Sequence, residues 1–400
     1  MSVSNYWGLR FADGSWLVEA LPARRKLGLD KPAHQIEFCQ KRSDRANFGT
    51  TMNSPSPSAI DALILALPET AGSALYGMVD VLAATGTLWR ELVGEPPGHR
   101  LIQPRIVSPS TRPFRCGNGI PVSPEVSLEK AGRPELLILP ELWLAPTDDM
   151  ADRYVDVKNW IRQCYQRGST IYTACSGSIL LAATGLLDGR EATSHWGYQD
   201  LFRTNFPAVR FNPQPNLVIA DPGGRIVTAG GTTSWHDLAL HIIARHCSAG
   251  EALRIAKVYL LKWHGEGQLP FASLVRRQPH ADSVVRRAEE WRARHHGEPH
   301  AVAAVVGACG IPERSLKRRF KAATGTSLMA HVQNLRIEEA KRLLESDNQS
   351  AEEIAAIVGY DNPAFFRRLF KRATGLTPGA YRRMFKPLSN KEYRTDLASA

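Results

Sequence analysis

Phe320 to Ala330 reads FKAATGTSLMA, and fifty positions later Phe370 to Ala380 reads FKRATGLTPGA. Each copy closes a larger unit, VVGACGIPERSLKRRFKAATG in the first case and IAAIVGYDNPAFFRRLFKRATG in the second. In both, an apolar helix ends at a glycine-bearing turn, and a second helix follows with an aromatic at a fixed place. Leu316 and Phe320, like Phe366 and Phe370, stand four apart, so each pair shares one buried helical face. Gly325 and Gly375 then suit the left-handed position that ends a helix. A chain that writes this twice builds an all-helical module from two matched halves.

Helix, tight turn, helix is the unit whose second helix enters the major groove of DNA. The first copy crowds Lys317, Arg318, Arg319 and Lys321 onto its second helix; the other carries Arg367, Arg368, Lys371 and Arg372. Such cations neutralise phosphates, and arginine also reads guanine edges through paired hydrogen bonds. The expected DNA contacts are Arg314, Ser315, Lys317, Arg318 and Lys321, then Asn362, Ala364, Phe365, Arg367, Arg368 and Lys371. Between the copies, SLMAHVQNLRIEEAKRLLES predicts one long helix with Leu328, Val332, Leu335 and Leu343 inward. That helix would hold two reading heads at a fixed spacing, suited to major-groove segments about 34–36 Å apart. Charge agrees: residues 271–386 hold 21 Lys and Arg against 12 Asp and Glu, most of the net +11 of the 400 residues. Double-stranded DNA is the expected partner.

The rest of the chain has another texture. IDALILALP, RIVS (105–108), ELLILP (135–140), STIYTAC (169–175), NLVIAD (216–221) and RIVTAGG (225–231) are short apolar runs of the kind that form buried strands. Segments of helical period separate several of them, as in YGMVDVLAATGTLW and DVKNWIRQCYQRG. The pattern predicts an α/β domain, a parallel sheet with helices on both faces in flavodoxin-like fashion. The boundaries read as an irregular extension at 1–57, the α/β domain at 58–250, a linker at 251–283, the helical module at 284–386 and a tail at 387–400. Residues 265–300 read as a hinge region punctuated by Gly and Pro at both ends, with Val284, Val285, Ala288 and Trp291 at helical spacing between. No apolar run nears the roughly 20 residues of a membrane helix, and no signal-peptide pattern opens the chain; a cytoplasmic protein is expected. Six cysteines lie scattered without a CxxC pair, so no metal and no cofactor is expected. His236, His241 and His246 are spaced by five, about 140° apart around a helix, and do not converge as ligands. Asp237 reads as a packing or interface residue, and the glycines of ADPGGR as a hairpin-like turn.

TACSGSILLAATGLL passes from strand to helix at Cys175, the geometry that makes a nucleophile stand proud of a sheet. EATSHW places His195 at the end of a further short strand, where it could pair with the thiol as base. A hydrolase would need a third, acidic group to orient the histidine. ETAGSALYGMVD offers only Glu69 as a candidate, with nothing to fix it.

Two resemblances follow from these stretches. SLKRRFKAATG, NLRIEEAKRLL and IAAIVGYDNPAFFRRLFKRATGLTPGAYRRMF make residues 284–386 resemble the AraC-type DNA-binding domain. Pro312 departs from that pattern, standing where relatives usually carry a capping Ser or Thr. LPETAGSALYGMVDVLAATG, CSGSILLAATGLLDGREATSHW and VTAGGTTSWHDLALHII make residues 58–247 resemble the class I glutamine-amidotransferase-like fold of PfpI type, in its regulator branch. The resemblance implies a ligand-responsive transcription regulator, often an activator, that dimerises. Its small-molecule effector would meet Cys175, Ser176, His195 and Trp196, and the domain would be non-catalytic. The alternative is a cysteine-dependent hydrolase or amidase fused to a DNA-binding domain.

Overall fold

A computed structural model of the chain describes residues 8–12, 15–19, 59–150, 152–273, 282–295, 301–346 and 348–389. It divides into two units, Met1–Ser56 and Pro57–Ala400. In the first, part of the expected irregular extension is regular: Gly8–Ala12 and Ser15–Glu19 pair as an antiparallel hairpin. Aromatic and branched residues on both arms favour extended pairing. The remainder of that extension lies outside the described residues.

The second unit is built on seven strands: β1 (Ile60–Leu65), β2 (Ile102–Ser108), β3 (Val126–Ser127), β4 (Leu136–Leu139), β5 (Thr170–Ala174), β6 (Leu217–Ile219) and β7 (Ile226–Ala229). Their order is β6-β7-β5-β4-β1-β2-β3, with every pairing parallel except β6 with β7. That edge pair is the hairpin the ADPGGR glycines suggest, and Gly224 turns it at φ 63°. The period of two sends successive β1 side chains to opposite layers. Leu63 and Leu65 meet Ile161, Ile179 and Leu180 on one side; Ala62 and Ile64 meet Leu75, Met78, Leu238 and Ile242 on the other. Helices Gly72–Ala83 and Trp235–His246 therefore cover one face and Val155–Gln166 the other.

Three expectations change. The linker 251–283 is not all connector: Ala249–Val258 is a helix, and its Ala252 and Ile255 are buried in the sheet's core. Farther on, Gln268 is buried as well, while 274–281 lie outside the described residues. The strand before His195, Glu191–Ala192, pairs with Arg210–Phe211 in a separate two-stranded ladder and not beside β5. Lastly, Pro378–Ser389 is one helix, so the expected tail begins inside it, and beyond Ser389 the tail lies outside the described residues.

The helical region has two small cores. Val285, Ala288, Val305, Leu316, Phe320 and Leu328 make the first; Ile337, Leu344, Ile354, Phe366 and Phe370 belong to the second. The long helix Leu328–Ser346 contributes to both, a rod of about 28 Å at 1.5 Å per residue. Its inward residues differ in one place from expectation: Leu335 is half-buried, and Ile337 takes the buried position.

Candidate functional site

β4, β5 and β7 lie near one another in the sheet, so the residues after their carboxyl ends converge although they are far apart in sequence. Glu141 follows β4, Cys175 follows β5 and Thr232 follows β7. Cys175 is held at φ 52°, a left-handed conformation uncommon for a side chain-bearing residue. Its amide donates to Ala229 O at 3.0 Å, and its carbonyl accepts from Ser194 Oγ at 2.7 Å. Gly177 must be glycine here: a Cβ would stand 2.2 Å from Leu139 O.

The thiol is buried and donates to Glu141 Oε1 at 3.6 Å. Thr232 Oγ1 donates to the same oxygen at 3.0 Å, and Glu141 Oε2 is buried without a partner among the described residues. Burial first, and the neighbouring carboxylate second, push the thiol well above its ordinary range. Burial likewise raises Glu141. Cys175 is therefore a protonated donor at neutral pH, the reverse of the lowered pKa that makes a nucleophilic thiolate.

His195 is not the thiol's hydrogen-bond partner. Its Nδ1 accepts from the Gly197 amide at 3.0 Å, which leaves the proton of the neutral ring on Nε2. Burial lowers its pKa, so the ring stays neutral. Ser176, expected to meet a ligand, is fully buried; its hydroxyl accepts from the Leu142 amide and donates to Leu142 O. Glu69 is bound elsewhere, by Arg153 and by the Tyr154 hydroxyl at 2.5 Å. His195 and Trp196 do line a cavity of about 200 Å³, together with Asn216, Thr232, His264, Gln268 and Phe271. Cys175 and Ser176 do not line it, and the thiol connects to its wall through Glu141 and Thr232.

Sequence reasoning missed Glu141. The signal was a carboxylate directly after a core strand, ELLILPE, but only the strand order shows that β4 neighbours β5. Asp237, expected to serve packing or an interface, is fully buried; it accepts from the His264 amide at 3.0 Å and joins the His264 ring at 2.9 Å. Of the three spaced histidines, His246 Nε2 meets the Tyr172 hydroxyl at 2.7 Å. No metal-holding group of His, Cys, Asp and Glu occurs among the described residues.

In the helical region, Glu313–Thr324 and Pro363–Thr374 are the second helices of the two units. They stop alike. Thr324 and Thr374 donate back to Phe320 O and Phe370 O, and Gly325 and Gly375 follow at φ 68° and 75°. The turns before them hinge on Gly310 and Gly359, at φ 66° and 86°. They start differently: Asn362 caps the second through the Phe365 amide at 2.9 Å, while Pro312 stands at the first cap without a side-chain bond.

The faces these helices leave exposed hold Arg314, Lys317, Arg318 and Lys321, then Ala364, Phe365, Arg367, Arg368 and Lys371; Ser315 is half-buried. Lys317 pairs with Glu313 and Arg367 with Glu352, both at the surface, where such pairs are weak and a phosphate can replace the acid. Asn362, an expected contact, and Arg319, outside the expected set, both make bonds within the chain. Asn362 uses its carbonyl oxygen as a helix cap. Arg319 turns away to grip Asp282 with Nε at 2.8 Å and Nη2 at 2.7 Å, and Asp282 in turn accepts from the Val284 and Val285 amides.

Comparison with known families agrees with both halves. A Helix-turn-helix domain matches residues 305–384 and the DJ-1/PfpI family matches residues 80–245. The HTH-type transcriptional regulator GlxA of Rhizobium meliloti is 30% identical over 228 residues, 56% of this chain and 68% of the relative. The chain belongs to the AraC-type transcriptional regulators that carry a DJ-1/PfpI domain. The HTH-type transcriptional regulator CdhR of Pseudomonas aeruginosa is 24% identical over 274 residues, 68% of this regulator and 79% of the relative. Isonitrile hydratase of Pseudomonas putida is 37% identical over only 82 residues, 20% of this regulator and 33% of that enzyme. This AraC-type regulator is thus a sequence-specific DNA-binding protein, and no helix among its described residues is long and apolar enough to cross a membrane.

Proposed function

We propose that this regulator senses a small molecule in the cavity beside His195 and Trp196, and that it activates transcription as a homodimer. Open α/β sheets take ligands at the carboxyl ends of their strands, and this cavity is lined by Gly231 to Ser234, just after β7. The carrying observation is the setting of the thiol: buried, outside the cavity's lining and bonded to Glu141, with His195 Nδ1 already occupied. Such a thiol is not poised to attack, and the polar groups placed to hold a ligand are those lining the cavity, Thr232, His264 and Gln268 among them. Glu141 Oε2, lacking a partner, is the acceptor a ligand or a water behind Thr232 would use.

In the DNA-reading half, Arg314, Lys317, Arg318, Lys321, Arg367, Arg368 and Lys371 hold phosphates or guanine edges, and Ala364 and Phe365 meet thymine methyl groups. Pairing of two chains would bring four such helices to one operator.

A thermal-shift screen of the full chain against metabolites tests the sensor. A true effector raises the melting temperature with concentration, and its effect should fall when Trp196 is replaced by Ala. If no compound stabilises the chain, the sensor reading is lost. A second reading, a cysteine hydrolase, is favoured by the φ of 52° at Cys175 and by the partial likeness to isonitrile hydratase. Turnover of an amide or nitrile panel that Cys175→Ala abolishes would establish it.

A further inference from the structure

The segment from His264 to Ser273 touches both halves of the regulator. Its inner side walls the cavity: His264, Gln268 and Phe271 face His195, Trp196 and Thr232 across about 200 Å³. Gln268 is the anchor. It is 4% exposed; its Nε2 donates to Ser194 O at 2.9 Å, and its Oε1 accepts from the Trp196 amide at 3.2 Å. Ser194 also bonds the Cys175 carbonyl, so the segment lies two hydrogen bonds from the elbow.

Its outer side grips the DNA-reading half. The Phe271 ring meets Phe385 edge-on, with centroids 5.4 Å apart. Ala272 O accepts from the ammonium of Lys341, which is only 7% exposed and is also held by Glu338 at 2.9 Å. Lys341 sits on Leu328–Ser346, the helix that spaces the two reading heads. Among the described residues, then, one short strap carries the cavity wall and the grip on the spacer.

We propose that this strap is a latch, which an occupied cavity loosens so that the DNA-reading half is released from the sensor. The proposal rests on the sensor reading above. Small-molecule sites commonly measure about 300–1,000 Å³, so an occupant larger than the about 200 Å³ of this one presses on its walls. The walls differ in stiffness. Thr232 follows a strand inside the sheet ladder, whereas the strap is irregular, held by the Gln268 amide on Gln214 O at 2.9 Å and otherwise mostly by side chains. Displacement falls on Gln268 and Phe271, and it pulls Ala272 O away from Lys341. A buried ammonium left without that acceptor is costly, so the grip has two states, closed or open to water. Coupling is reciprocal: a broken grip makes the cavity easier to fill.

Hydrogen exchange on the full chain tests the latch without a known effector. Gly231→Leu serves as the occupant. Position 231 has φ −57°, and its Cβ would stand 3.4 Å from His195 and 3.5 Å from Gln268, ordinary contact from which the longer side chain fills the cavity. Exchange in 264–273 and around Lys341 should rise about tenfold, with β4 and β5 unchanged. Lys341→Met, which leaves the cavity's lining intact, should loosen 264–273 and the Trp196 amide from the other side. If either variant folds and leaves the strap's exchange at the wild-type rate, the latch is refuted. The metabolite screen separates the two ideas: a stabilising compound that leaves strap exchange unchanged defeats the latch alone. A responsive strap with no stabilising compound upholds the coupling between cavity wall and Lys341 but removes the sensor reading, and with it the latch's occupant.

Discussion

Cys175 occupies a backbone conformation that costs about 1–3 kcal/mol for a residue with a side chain, and its neighbours hold it there. Ala229 O takes its amide, Ser194 its carbonyl, and the carbonyl of Leu139 leaves room only for hydrogen at Gly177. The motif CSG was legible as an elbow because strand, small residues and helix run in sequence. The protonation state of its thiol was not, since Glu141 arrives from another strand. That state has a pH signature. The folded-state pKa lies above the free value of 9.0, so the thiol's contribution to stability is intact below that pH and is lost as pH rises beyond it. Urea unfolding at about pH 8 and about pH 10 should show a smaller alkaline loss for Cys175→Ala than for the parent chain. Equal losses would mean that the thiol titrates normally.

At the scale of elements, the two recognition helices show how far a repeat can be trusted. Their ends match bond for bond, because Thr-Gly encodes a local hydrogen bond and a left-handed turn. Their cations do not all match in role, because a helix turns about 100° per residue. Arg318 points to solvent, while Arg319 reaches Asp282 at the head of Ser283–His295. Replacing Arg318 by Ala should weaken DNA binding, and if it holds a phosphate the salt slope should become shallower by about one. Arg319→Ala should leave that slope intact and instead speed hydrogen exchange in Ser283–His295. Fluorescence titrations of both variants across a salt series decide the point. A slope that changes only with Arg319 would reverse the assignment.

Across the whole molecule, the helix Ala249–Val258 and the strap at 264–273 extend the α/β part beyond the boundary its strands suggest. Ile255 is fully buried against the sheet, and losing such a residue costs about 2–5 kcal/mol. A chain ending at residue 250 should therefore melt well below one ending at residue 273, by calorimetry of the two fragments. Similar melting temperatures would return the helix to the linker. The same extension brings the sensor cavity within one short segment of Lys341.

Local and repeated signals were enough for the DNA-reading module, for every strand of the sheet but the short Val126–Ser127, and for the elbow at Cys175. Apolar period, glycine turns and Thr-Gly stops act over a few residues, and the chain carries them in order. Only the tertiary structure decided that Glu141 faces the thiol, that Ser176 is turned inward, that Arg319 is bound to Asp282 and that the strap carrying Gln268 also meets Lys341. Each of these depends on strand order or on the direction of one side chain, and neither is fixed by distance along the sequence.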